Sequence, residues 1–200
     1  MSRGRTHVEP RSTSSSWARW RACIHPTCSS SRHGRLQSTA RCWTLVAVPG
    51  HWTAFLRQRG HEVRGVDQVP EFIEHARQAY PNAAFAVGDV DALQDPEDSY
   101  DGVLAWYSLI HHEPDAIHRP LDEFVRVLRP GGRLLVGFFV GDDVAPFGHA
   151  VVTAHRWSTD ALGDALDAAG FDVLETHTRT VSAPKPRPHG AVLAQLRAAS

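Results

Sequence analysis

Gly50, Asp67 and the pair Gly88–Asp89 are the residues of this 200-residue chain whose types and spacing most readily carry chemistry. Asp67 closes the segment EVRGVD, 17 residues after Gly50. A carboxylate at the end of a buried strand can accept hydrogen bonds from both hydroxyls of a ribose, as in dinucleotide-binding folds, and a glycine at the preceding turn lets backbone approach a ligand. A solvated strand-end acid and a lone turn glycine would explain the same residues more plainly. His111 and His112 follow the run YDGVLAWYSLI and offer near-neutral bases for removing a proton from oxygen or nitrogen. Thirteen histidines dilute that signal, and a surface loop pair accounts for it equally well. No phosphate loop, zinc-ligand spacing or nucleophile elbow occurs, so no metal site is expected.

The elements that must position these residues follow an alternating pattern. In HWTAFLRQRG, Trp52, Phe55 and Leu56 share one helical face and Gly60 supplies a stop. The strand EVRGVD comes next. Pro70 then suits the first position of a helix whose apolar stripe is Phe72, Ile73, Ala76 and Tyr80, ended by Pro81. AAFAVGD and YDGVLAWYSLI read as buried strands. Leu121, Phe124, Val125 and Leu128 fall at i, i+3, i+4 and i+7, RPGG at 129–132 reads as a helix stop and turn, and GRLLVGFFV is a further strand. After a loop, Ser158 caps a helix with Leu162, Leu166 and Ala169 inward, ending at Gly170. FDVLETHT and GAVLAQL, joined through a Pro-rich connector, read as an antiparallel closing pair. The expected class is therefore α/β: a Rossmann-like, doubly wound, mostly parallel sheet with a C-terminal antiparallel pair, in three α/β/α layers.

The charge balance divides the chain. Residues 1–50 hold eight arginines and one acid, whereas residues 51–200 hold 13 basic and 21 acidic residues. No apolar period runs through the first part before Thr44, so a non-folding leader over 1–43 and a single domain over 44–200 are expected. An organellar transit peptide and a polyanion-binding tail both fit the Arg- and Ser-rich leader. Cys23, Cys28 and His33 lack paired zinc spacing, and three cysteines make no disulfide framework, which suits the cytoplasm. No run is long enough to span a membrane, and the acidic C-terminal part argues against a nucleic-acid partner.

GVD at 65–67, GD at 88–89, YDGVLA at 100–105 and LRPGGRLL at 128–135, in that order along a βα alternation, resemble the class I S-adenosylmethionine-dependent methyltransferases of the small-molecule type. The resemblance covers roughly residues 49–200. It implies S-adenosyl-L-methionine as cofactor and a small-molecule methyl acceptor as partner, and leaves the oligomeric state open. It further implies cofactor contacts from Gly50, Asp67, Gly88, Asp89, Val90 and Ala105, with Asp89 accepting from the adenine amino group and Val90 packing near the ring. Trp106 and Tyr107 would line an acceptor pocket, His155 and Trp157 would cover it, and His111 or His112 would act as base. Ordinary packing explains the aromatic residues as well.

The resemblance breaks at the first motif, where the family has approximately V-L-D-V-G-C-G-P-G and this chain has RCWTLVAVPG. Taking the third base of each codon with the first two of the next, Cys42–Trp43 can encode only Leu and Trp43–Thr44 only Asp. The neighbouring junctions permit the rest of V-L-D-V-G-C-G-P. Upstream, Trp17–Ala18 forces Gly, and the junctions through Pro26–Thr27 allow G-S-M-A-S-V-H-P-S-D. Residues up to about Val48 are therefore expected to be read out of the ancestral frame, which resumes near Pro49. Val46, Ala47, Val48 and Pro49 replace glycines that would let the backbone pass close to the cofactor, and the acid that would precede them is absent, so poor or no cofactor binding is expected of this chain. A noncatalytic α/β interaction protein is the alternative reading. A nicotinamide oxidoreductase is disfavoured by the lack of G-x-G-x-x-G.

Overall fold

A computed structural model describes residues 41–45 (backbone), 50–149, 152–180 and 187–198. The leader with Cys23, Cys28 and His33, and residues 46–49 of the first motif, lie outside the described residues.

Among the described residues, nine strands form one sheet in the order β3-β2-β1-β4-β5-β7-β6, with β9 added to β5 and β8 to β9. They are β1 (Arg41–Leu45), β2 (Glu62–Asp67), β3 (Ala84–Val87), β4 (Tyr100–Trp106), β5 (Leu128–Val140), β6 (Ala145–His149), β7 (Val152–Trp157), β8 (Phe171–Arg179) and β9 (His189–Leu196). Helices α1 (His51–Gln58), α2 (Pro70–Ala79), α3 (His118–Val127) and α4 (Thr159–Ala168) connect them. β1 to β5 pair in parallel, and β9 runs antiparallel between β5 and β8, as the Pro-rich connector suggested.

Alternation along the strands assigns the layers. Val103, Ala105, Leu134, Val136, Val192 and Ala194 pack in the main cluster with Phe124 of α3 and Leu162 and Leu166 of α4. Their neighbours Leu104, Leu135 and Leu193 pack with Leu56 of α1 in a second cluster. Successive strand residues point to opposite faces, so α3 and α4 cover one face of the sheet and α1 the other. The helix after β1 and the helix after β4 thus leave in opposite directions, which opens a crevice at the carboxyl ends of those adjacent strands.

Four details differ from the sequence reading. β1 begins at Arg41, ahead of the expected boundary at residue 44, and lies in the middle of the sheet between β2 and β4. Parallel ladders are built from backbone N–H and C=O groups, which every residue here carries, so a segment without apolar period can still pair. Phe72, assigned to the apolar stripe of α2, is 44% exposed, and Ile73 and Ala76 alone are fully buried on that helix. RPGG does not end β5 pairing: Tyr100 pairs with Leu128 and Gly102 with Arg133, so those residues bulge out within one long strand, with Gly131 at φ 77°. Finally, the segment read as a loop after β5 contains the antiparallel hairpin β6–β7.

That hairpin has a definite place. β9 occupies one edge of β5 from Arg133 through Phe139, and β4 occupies the other edge up to Gly137. β7 pairs with Phe139 and Val140, so it must lie on the β4 side, beyond the end of β4. The hairpin therefore stands above the crevice.

Candidate functional site

The two acids singled out in the sequence come to the same sheet edge. Asp67 ends β2 in register with Val87, and its carbonyl accepts from Gly88 N at 3.0 Å. Its Oδ1 accepts from Val69 N at 2.9 Å, closing the turn into α2. Asp89 is exposed just beyond β3, and its Oδ1 accepts from Asp91 N at 3.0 Å. At about 4.8 Å per strand step, β2 lies about 10 Å from β4 across β1, so both acids stand within a ligand's length of the crevice. Gly50 precedes α1 with φ 82°, and a Cβ there would meet Phe85 at 3.0 Å and Ala76 and Tyr80 at 3.1 Å. Glycine is demanded there twice, by the left-handed backbone and by the close approach of α2 and β3. Val90 is half-buried against the main cluster, and Ala105 is fully buried in β4.

The paired histidines are held by side-chain and backbone partners. His112 Nε2 lies 2.8 Å from Asp91 Oδ1, and His111 Nδ1 lies 2.8 Å from the Thr153 carbonyl on β7. His112 thus ties the loop after β4 to the loop that carries Asp89, and His111 ties it to the hairpin. Two polar atoms at this end of β4, Ser108 Oγ and His112 Nδ1, are buried with no hydrogen-bond partner among the described residues. Buried polar atoms of this kind are normally satisfied by water or ligand.

Trp106 and Tyr107 complete the edge. Trp106 lies edge-on to Trp52 of α1 at 5.9 Å, and Gly137 makes room for it, since a Cβ there would sit 2.6 Å from the indole. Tyr107 has φ 59°, a conformation that costs a residue with a Cβ about 1–2 kcal/mol. Its N–H donates to the Gly137 carbonyl at 3.0 Å, and its ring packs against Trp106 and Phe139. Its hydroxyl lies 2.6 Å from His189 Nδ1, the first residue of β9. Burial pushes the phenol up to about 12. His189 is lowered, chiefly by burial and then by Arg179 and Arg187.

His189 is a residue the sequence reading passed over. Its signal was its place just after the Pro-rich connector: an antiparallel last strand must begin where its parallel neighbours end. On β7, His155 is 4% exposed, with Nδ1 unpartnered among the described residues and Nε2 3.6 Å from Glu113 Oε2. Trp157 is 5% exposed and packs in the main cluster with Leu162 and Phe171, so it serves the core instead of a surface over an acceptor. No group of three or more His, Cys, Asp or Glu suited to a metal occurs among the described residues.

The acids at the end of β2 and just beyond β3, with the unpartnered Ser108 Oγ and His112 Nδ1 after β4, are a donor and acceptor set that could hold a ligand with a ribose at one end and a charged amino acid at the other. Comparison with known proteins points the same way. The methyltransferase-domain family matches residues 46–132. An uncharacterized methyltransferase of Mycobacterium tuberculosis is 37% identical over 97 residues, which are 47% of this chain and 37% of that protein. A demethylmenaquinone methyltransferase of Beutenbergia cavernae is 33% identical over 107 residues, 54% of this chain and 44% of that protein. The chain thus spans less than half the length of these curated relatives. Among solved structures, the Burkholderia thailandensis 1,6-didemethyltoxoflavin N1-methyltransferase, with bound 1,6-didemethyltoxoflavin and S-adenosylhomocysteine, superposes with TM-score 0.67 at 28% identity. That match covers 79% of this chain and 71% of the other. A Methanosarcina mazei protein shares the fold at TM-score 0.72 and 19% identity, covering 82% and 95%.

Proposed function

We propose that this chain carries a class I S-adenosylmethionine-dependent methyltransferase domain and methylates an oxygen or nitrogen of a small-molecule acceptor. The observation that carries the proposal is the pair Asp67 and Asp89, closing neighbouring strands beside the β1/β4 crevice. When bound, S-adenosylmethionine supplies a methyl group already activated by its sulfonium. The task left to the protein is to hold acceptor and donor close and to receive the acceptor's proton. Asp67 would accept from the ribose hydroxyls, Asp89 from the adenine amino group, and Gly88 keeps the strand end slim beside them. Gly50 fixes the turn into α1, Val90 packs near the adenine, and Trp106 and Tyr107 border the acceptor side, while Ala105, fully buried in β4, supports this edge from within the core.

A planar heteroaromatic acceptor is supported by the likeness to the didemethyltoxoflavin enzyme, and a quinone-type acceptor by the menaquinone relative. A small acceptor in preference to nucleic acid is supported by the excess of acids over bases after residue 50. No helix among the described residues is long and apolar enough to cross a membrane. The scarcity of cysteines supports a cytoplasmic place.

One observation favours a second reading, a noncatalytic protein keeping this fold. The first motif offers Val46 and Val48 where the family has glycines, and no acid before them. The test is titration calorimetry with S-adenosylhomocysteine on this chain and on a version whose residues 41–49 are replaced by V-L-D-V-G-C-G-P. The expected result is weak or absent binding by the first and micromolar binding by the second, lost in its Asp67→Ala variant. Micromolar binding by the unaltered chain would overturn the impairment. No binding by either version would overturn the methyltransferase proposal.

A further inference from the structure

We propose that Tyr107 and His189 form a proton relay for an acceptor that carries an acidic O–H or ring N–H on a planar ring. This rests on the methyltransferase reading and deepens it. The two groups come from distant parts of the chain, yet the hydroxyl and Nδ1 are 2.6 Å apart at the carboxyl edge of the sheet. Tyr107 is held there by its backbone bond to Gly137, its positive φ and its packing on Phe139 and Trp106, so the hydroxyl is aimed before any ligand arrives. A tyrosine needed only for packing gains nothing from a left-handed backbone.

With the phenol protonated and the imidazole neutral, the phenol O–H is the better donor and Nδ1 the better acceptor. An acceptor hydroxyl or N–H that donates to the Tyr107 oxygen can then pass its proton on. The acceptor's X–H bond breaks and a new O–H bond forms on Tyr107. The original Tyr107 O–H bond breaks and an N–H bond forms at His189 Nδ1. The electron pair left on X is the nucleophile, and the positive charge rests on the imidazolium. Tyr107 is the group that touches the acceptor; His189 acts through it.

The charged groups around His189 set its working range. Arg179 faces it from β8 as its register partner, Arg187 precedes it, and Arg156 on β7 and Arg187 both lie over the Phe147 ring. His149 of β6 packs on Phe139 and against His111. None of these is a carboxylate, so nothing among them holds a proton on His189, and its base form persists to lower pH than an ordinary histidine. The rings of Tyr107, Phe139, Phe147 and Trp106 give the surroundings a planar, apolar character that suits an aromatic acceptor.

The experiment uses 4-nitrophenol, whose anion absorbs in the visible, with the whole chain and its His189→Gln and Tyr107→Phe variants. Bound dye is expected to ionise at lower pH than free dye, by about one unit or tenfold in its ionisation constant, and both variants are expected to lose that shift. Imidazole nitrogen spectra of the unsubstituted protein give an independent readout: His189 should become doubly protonated as the bound dye ionises. That measurement decides even if a variant fails to fold. Dye that does not bind, an equal shift in all three proteins, or a His189 that stays singly protonated overturns the relay. S-adenosylhomocysteine affinity, measured on the frame-restored chain with and without His189→Gln, is expected to be unchanged. A dye shift with no cofactor affinity in the frame-restored chain would sink the methyltransferase reading while leaving the relay standing, and the converse would spare the reading alone.

Discussion

Replacing Gly50 by alanine tests whether the turn into α1 is required for its backbone or for its crowding, because the chain contains its own control. Gly50 and Gly60 share nearly the same left-handed backbone, φ 82° and 87°. A Cβ at Gly60 meets nothing within 4 Å, whereas at Gly50 it meets Phe85 at 3.0 Å and Ala76 and Tyr80 at 3.1 Å. The backbone term is common to both and costs about 1–2 kcal/mol, offset by about 0.4–1 kcal/mol because alanine restricts the unfolded chain. Gly60→Ala should therefore destabilise by about 1.5 kcal/mol or less. Gly50→Ala adds the cost of overpacking against three neighbours, about 1–3 kcal/mol, for a total near 1–4.5 kcal/mol. Urea unfolding of both variants gives the difference directly if the slope m is unchanged. A difference below about 0.5 kcal/mol would refute the claim that α2 and β3 close tightly on this turn. Gly50→Asn should recover part of the backbone term and none of the crowding, since asparagine tolerates the left-handed region.

Two further outcomes follow from other contacts and a third from the codon junctions. Glu123 accepts from Leu93 N and from Arg126, which in turn donates to the carbonyls of Leu93 and Asp95, so the pair clasps the loop after β3 to α3. The Arg126 guanidinium holds the Glu123 carboxyl below its ordinary value of 4.5. A depressed carboxyl stabilises fully above its unfolded value and loses that contribution as pH falls through the folded one. Glu123→Gln should thus be less stable by about 1.5 kcal/mol at pH 7, with the gap to the parent chain closing below pH 4.5 in urea titrations. His112→Ala, which frees Asp91 and loosens the loop bearing Asp89, should weaken S-adenosylhomocysteine binding of the frame-restored chain about tenfold by calorimetry. An unchanged affinity would show that the tether does not position Asp89. In the gene, joining the shifted reading V-L-D-V-G-C-G-P to Gly50 leaves one base over, so sequencing an independent template should find one nucleotide fewer at the Pro49–Gly50 codons. A frame identical to the present one there, with no compensating change, would remove the frame argument.

Much of the fold was legible because burial imposes period. Ile73 and Ala76 on α2, Leu121 and Phe124 on α3, and Leu162 and Leu166 on α4 are inward in the structure, as their spacing required. Asp67 and Gly88–Asp89 were legible as strand ends for the same reason, and the alternation of strand and helix fixed which end of the sheet they occupy. The hairpin β6–β7 was not legible: its exposed residues Val152, Thr153 and Arg156 interrupt any period-2 signal, since the hairpin is covered mainly where it meets β5 and the 109–111 turn.

Local pattern and short-range turns were enough to set the layered α/β architecture, the order of its motifs and the acids that close β2 and follow β3. Long-range packing was needed to make Arg41–Leu45 a central strand, to put Trp157 in the core, and to bring Tyr107 to His189 across 82 residues. Backbone pairing is blind to side-chain type, and a contact between residues so far apart in the chain depends on how β4, β5 and β9 align. No window of the sequence contains that alignment.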